Sequence, residues 1–230
     1  MWTLTAEEIE AVWLSFRVGV VAVGLGLPLA ILLGYLLARK SFPLKWLVET
    51  VADLPLVLPP VVTGYLLLVL LGPRGLVGSI FEEWLGWPIA FTWRGAAVAS
   101  AVVSFPLMVR TLRVAFSEVD PRLELAARSL GAGRLDCFFS VTLPLARRGV
   151  IAATLLGFAR SLGEFGATIM IAANIEGETR TIPLAIYSIA NRPGGFENSW
   201  RLVIISILLA CGALLISDRL ERRRSRHESA

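Results

Sequence analysis

Reactive side chains are scarce in this sequence of 230 residues: it has one histidine, His227, two cysteines, Cys137 and Cys211, and two lysines, Lys40 and Lys45. The histidine and the cysteines share no metal-ligand spacing, so no metal site is expected and both cysteines read as packing residues. Neither lysine follows a glycine, which excludes a Walker A phosphate cradle on this chain. An embedded enzyme would need a convergent acid, base, nucleophile or metal set, and these residues do not make one. Charge is also thin, at 17% of residues against 56% hydrophobic, with a mean hydropathy of +0.71. That balance excludes a soluble globular domain and predicts an integral membrane protein.

What the chain has in abundance is apolar runs. Five stand out, at about 11–38, 51–71, 89–109, 149–172 and 201–217, and each is read as a transmembrane helix. They leave no room for a separate soluble domain, so residues 1–230 form one membrane domain, all-α, with a helical bundle of about five spans. Thr5-Ala-Glu-Glu8 before the first run is a capping box, the mark of a helix start; no basic segment with a small-residue cleavage site suggests a removed signal.

The basic residues alternate from gap to gap. Arg39, Lys40 and Lys45 lie in the first, Arg74 alone in the second, seven arginines between 110 and 148 in the third, Arg180 and Arg192 in the fourth, and Arg219 to Arg226 in the tail. The positive-inside bias therefore puts the N-terminus outside, and the 110–148 loop and the tail at 218–230 in the cytoplasm. The tail reads as a topology anchor, with no nucleic-acid partner. Trp84, Trp87, Trp93 and Trp200 fit an outer interfacial belt, and Arg17 and Arg94 lie near enough to helix ends to snorkel.

The third gap is patterned. Asp120-Pro121 is an N-cap and first-turn pair and Gly131 a helix stop, predicting a helix over 121–130 with Leu123, Ala126, Ala127 and Leu130 on one face. Glu124 and Arg128, four apart, can pair. A second amphipathic piece runs through Phe138 and Phe139 to Pro144. On physical grounds the first helix is either a docking element or an interfacial helix lying on headgroups.

The spacing of Glu124-Leu-Ala126-Ala127, Gly131 and Val141-Thr-Leu143-Pro144 resembles the EAA loop of binding-protein-dependent ABC transporter permeases, with Leu125 where the first alanine is usual. The resemblance extends to LPLVLPPVVTGYLLL at 54–68, WRGAAVASAVVSFPLMVR at 93–110, FARSLGEFGATI at 158–169 and GETRTIPLAIY at 177–187, which are similar to the molybdate-type permeases more than to the sulfate and thiosulfate ones. It implies a type I ABC importer fold in a bacterial inner membrane. The loop at about 118–146 would be the coupling helix that docks on a cytoplasmic ATPase subunit, through Glu124, Ala126, Ala127, Gly131, Leu143 and Pro144. It further implies a homodimer, which a thin five-helix chain needs to enclose a path, with two ATPase subunits and a periplasmic molybdate-binding protein. ATP and Mg would be used by the ATPase, and no cofactor is bound by this chain.

Charges in hydrocarbon usually face a bundle interior or water. Arg160 and Glu164, at i,i+4 in the fourth run with Ser161 and Thr168 beside them, are expected on one helix face, either lining an anion path or fixing helix packing. Pro55, Pro59, Pro60, Thr63 and Gly64 permit a broken second span, whose freed backbone must be buried or line a cavity, so Pro59, Pro60 and Thr63 join the candidate path. Outside, Glu178, Thr179 and Arg180 are candidate contacts for the binding protein; the alternative is a solvated re-entrant loop. The rivals to a molybdate permease are a sulfate or thiosulfate permease, a membrane scaffold that recruits an ATPase without flux, and the embedded enzyme already disfavoured.

Overall fold

Thr5 and Glu8 cap the first helix as their spacing predicts: the Glu8 amide donates to Thr5 Oγ1 at 3.3 Å and the Thr5 amide donates to Glu8 Oε2 at 2.7 Å. From there α1 (Ala6–Arg39) runs unbroken. The computed structural model describes residues 4–225, and helices are its only regular elements among them. After α1 come α2 (Lys45–Val57), α3 (Pro60–Leu71), the short α4 (Gly78–Leu85), α5 (Trp93–Ser117) and α6 (Pro121–Ser129). Then follow α7 (Arg134–Cys137), a π-helical turn (Phe138–Thr142), α8 (Leu143–Leu145), α9 (Arg147–Leu162), α10 (Gly166–Ala172), α11 (Ile182–Ala190) and α12 (Phe196–Ser225).

Among the described residues three helices, α1, α5 and the Phe196–Ala213 part of α12, are long and apolar enough to cross a bilayer unbroken. Two more candidates are bent pairs: α2 with α3, at 110°, and Arg134–Leu145 with α9, at 72°. The five expected spans are thus corrected in form. The second starts at Lys45 and breaks at Leu58-Pro59, where proline removes a backbone donor and the next helix must begin afresh. The fourth is not one helix over 149–172, because α9 stops at Leu162 and α10 restarts at Gly166. The third extends past 109 to Ser117, so Arg110 and Arg113 sit on α5 and not in a loop. There they pair with α2, Arg110 with Asp53 at 2.7 Å and Arg113 with Glu49 at 3.0 Å.

The core lies where α1, α5 and α9 meet. A Cβ on Gly26 would stand 2.6 Å from Met108 Cε, and one on Gly157 would stand 2.6 Å from Met108 Sδ. Absence of side chains at those two positions lets both outer helices close on α5, the packing mode expected where lipid offers no hydrophobic driving force. Met108, Leu112 and Phe116 are fully buried in this seam. Much of the remaining apolar side-chain surface, including Leu29, Leu32, Val57 and Leu208, is exposed in the isolated chain, as a bilayer or a second copy requires. Cys137 is buried, whereas Cys211 is exposed on α12, so only the first packs as expected. Arg226 and His227 of the basic tail lie outside the described residues.

At the N-terminal pole of α1, the buried Glu8 accepts from Arg201 Nε at 3.1 Å, tying α1 to α12, and Ser15 Oγ accepts the first amide of α11, from Ile182, at 2.7 Å. The Arg17 guanidinium stacks 3.7 Å from the Trp93 ring centroid, and Arg94 lies 5.4 Å from that of Trp87. Both arginines thereby reach the aromatic ends of the helices around them.

Candidate functional site

The first site is the coupling segment. Asp120 Oδ1 accepts from the Arg122 amide at 2.9 Å, Pro121 occupies the first turn, and the chain leaves the helix through Gly131 at φ 96°. This is the helix the sequence predicted, to within one residue. Its leucines are bare: Leu123 and Leu125 are exposed, and Leu130, just past its end, is 90% exposed. Large apolar side chains left exposed on one short charged helix mark a candidate interaction site.

Its inner surface is held by Glu124. The expected Glu124–Arg128 pair is not formed; Glu124 Oε1 instead lies 3.1 Å from Arg39 Nη2, at the end of α1, and accepts from Thr142 Oγ1 at 2.8 Å. Arg39 Nη2 also donates to the Val119 carbonyl at 2.6 Å. With side-chain exposures of 10% and 18%, the pair is largely desolvated, so each charge depends on the other. Three elements distant in sequence therefore converge on one carboxylate: α1, α6 and the π turn. Ala126 and Pro144 are exposed, Ala127 and Leu143 half-buried, and a Cβ on Gly131 would meet nothing within 4 Å.

The second site is the junction of the two breaks. The short helices α3 and α10 pack closely: a Cβ on Gly64 would stand 2.6 Å from the Ala167 carbonyl oxygen, and one on Gly166 would stand 2.9 Å from Pro60 Cβ. Arg160 and Glu164 do meet, at 2.9 Å, but not along one helix face. Glu164 sits in the bend after α9, and its Oε1 accepts from the Ala167 amide at 2.8 Å, so the same carboxylate holds Arg160 and satisfies the start of α10. Its side chain is 2% exposed, against 32% for Arg160. Ser161 is buried, donating to the Gly157 carbonyl at 2.9 Å. Thr63 and Thr168 are buried, and neither hydroxyl finds a partner among the described residues. Pro59 and Pro60 are exposed at the break itself. α10 ends at Ala173, with φ 61° and ψ −156°, a conformation that a residue with a Cβ adopts only where its surroundings enforce it.

The structure thus brings Pro60, Glu164 and Arg160 to one junction, with Thr63 on α3 and Thr168 on α10 beside its closest contacts. The missed break in the fourth run had one signal, Gly163 and Gly166 flanking Glu164. In the segment before α11, Glu178 is exposed, whereas Thr179 is fully buried and accepts from the Ile175 amide at 2.8 Å, so it shapes the loop from within. Arg180 is bound to Asn174 at 3.1 Å and Glu176 at 2.9 Å. The following stretch is not a loop but α11, packed against α1 and α12.

Residues 26–226 match the family described as the binding-protein-dependent transport system inner membrane component. The chain is 56% identical over 219 residues to the molybdenum transport system permease protein ModB of Escherichia coli, covering 95% of this chain and 96% of that one. Against the sulfate transport system permease protein CysW of Synechocystis, identity is 33% over 220 residues, covering 96% of this chain and 79% of the other. Among solved structures, a bacterial alginate ABC transporter in complex with its alginate pentasaccharide-bound periplasmic protein superposes with a TM-score of 0.72 at 18% identity, over 95% of this chain and 80% of that one. At that identity the likeness is one of fold.

Proposed function

This chain belongs to the family of binding-protein-dependent transport system inner membrane components, and from that premise we propose that it is the permease subunit of an ATP-driven importer and forms the transmembrane path for molybdate. The observation that carries the substrate is the 56% identity to a molybdenum permease along almost the whole chain, well above the 33% to a sulfate permease. It is a transport subunit and not an enzyme; ATP and Mg are used by a separate ATPase. Its assembly is a homodimer with two ATPase subunits and a periplasmic molybdate-binding protein, and its N-terminus faces outward.

The geometry supports a mechanism of alternating access. ATP-driven closure of the ATPase pair moves α6, whose bare leucines are the grip. Displacement passes by two routes: through Glu124 to Arg39 and so to α1, and through the π turn and α8 into α9. α9 carries Arg160 at its far end, beside the bend that seats Glu164, so a tilt of α9 acts on the junction with α3. There Arg160 attracts the oxyanion, Glu164 keeps it from binding too tightly to leave, and the hydroxyls of Thr63 and Thr168 are donors without partners among the described residues. Glu178 and Arg180 belong to the outer face that meets the binding protein.

The test is ATP-dependent uptake of labelled molybdate into proteoliposomes holding this chain with its ATPase and binding protein, with excess sulfate as competitor. Uptake that survives sulfate is expected. Uptake abolished by sulfate moves the substrate to the sulfate class, and assembly without uptake of either anion leaves a scaffold.

A further inference from the structure

A cavity of about 820 Å³ lies between the last turns of α1 and the coupling segment. One wall is apolar, made by Ile31, Leu32 and Leu36 of α1, with Phe138 and Phe139 opposite. Its other end is cationic: Arg39, Lys40, Arg128 and Arg134 line it, against the single carboxylate of Glu124. Glu124 is taken by Arg39, while Lys40, Arg128 and Arg134 are exposed at the cavity. Even Arg39 keeps its buried Nε without an acceptor among the described residues. The mouth is open, with Leu32 57% exposed and Phe139 62%.

We propose that this cavity binds an anionic phospholipid, with the phosphate on Lys40, Arg128 and Arg134 and an acyl chain along α1. Two features choose this occupant. The apolar wall reaches back to Pro28, eleven residues before Arg39 and so about 16 Å up the helix, a depth a water-soluble ATPase does not enter. The cationic end, with three exposed positive charges against one carboxylate already engaged, matches an anionic headgroup and not a zwitterionic one. A free inorganic anion would use the cations and leave the apolar wall without purpose. Lipid seated here would touch both α1 and the segment after α6, and would brace the Arg39–Glu124 joint from its open side. The inference needs only a membrane-embedded chain and is independent of the transported anion.

The test is native mass spectrometry of the intact transporter, permease with ATPase and binding protein, titrated with phosphatidylglycerol or phosphatidylcholine. Phosphatidylglycerol is expected to be retained preferentially. Lys40→Gln is expected to weaken that retention about fivefold and Lys40→Gln with Arg134→Gln about 25-fold, at roughly a factor of five for each charge. Leu32→Trp, which narrows the acyl wall and leaves every cation, weakens it as well; because Leu32 is exposed, this change keeps the idea testable if the double variant fails to assemble. Equal retention of both lipids, or retention indifferent to Lys40→Gln and Leu32→Trp alike, would overturn the proposal. So would displacement of the lipid by millimolar inorganic phosphate, which would make this a free-anion site, or lipid binding only when the ATPase is absent, which would assign the surface to that partner.

Discussion

Glu124→Gln is the most informative single change, because it keeps the shape of the side chain and removes only the charge. Arg39, with 10% of its side chain exposed, then loses its carboxylate and keeps the Val119 carbonyl as its remaining strong acceptor. Breaking a buried pair from one side costs about 3 to 5 kcal/mol, and the residual exposure here places the effect near the low end. About 3 kcal/mol corresponds to roughly a hundredfold shift in the equilibrium between α6 docked on α1 and α6 released from it. The reconstituted transporter is therefore expected to retain its ATPase subunits and to hydrolyse ATP, while the molybdate imported per ATP falls at least tenfold. Arg39→Gln should do the same, and the double variant should be no worse than either single one, since all three break one link. If Arg39→Gln transports normally while Glu124→Gln does not, the relay to α1 is refuted and Glu124 acts instead on the ATPase.

Three further outcomes are expected. Gly131→Trp, forcing a side chain onto φ 96°, should cost about 1 to 2 kcal/mol locally; membrane insertion, measured by membrane fractionation, should be normal and coupled uptake lost. Gly64→Ala places a Cβ 2.6 Å from the Ala167 carbonyl, so the α3–α10 contact must open; overpacking of this kind costs about 1 to 3 kcal/mol, read as a lowered Tm in detergent together with reduced uptake. Thr168→Val removes a buried hydroxyl that has no partner among the described residues, which should leave Tm unchanged or raised. If that hydroxyl donates to the passing oxyanion, the KM for molybdate should rise at least tenfold, as loss of a hydrogen bond to a charged group of about 1.5 to 3 kcal/mol implies; an unchanged KM would take Thr168 out of the path.

Much of this architecture was legible because local rules govern it. The capping box at Thr5 and Glu8, and the Asp120-Pro121 start and Gly131 stop of α6, depend on neighbours within a few residues, and all formed as read. The prolines at 59 and 60 announced a break and produced one. What escaped were contacts between distant segments. Arg128 is four residues from Glu124, yet Arg39, 85 positions upstream, holds it, because tertiary packing buries Arg39 beside the carboxylate and leaves Arg128 at the surface. The bend at Gly163 to Phe165 was hidden by hydropathy, which averages over a run and does not register where the backbone turns. The i,i+4 spacing of Arg160 and Glu164 gave the right partner for the wrong reason, since the pair closes across the end of a helix.

The π turn at Phe138–Thr142 carries a consequence for how this segment can change. A π turn accommodates one residue more than the α-helical path it interrupts, and each residue of an α-helix advances the azimuth by about 100°. The stretch from Phe138 to Leu143 is thus a phase adjuster between the coupling helix and the long helix behind it. A one-residue deletion there would straighten the turn and rotate α9 by about that angle relative to α6, carrying Thr142 away from Glu124 and Arg160 away from its bend. Point substitutions in this stretch are local events; a change of length would be a rotation of the whole lever, and single-residue insertions and deletions should be far rarer there among functional variants than in the loop at 191–195 that joins α11 to α12.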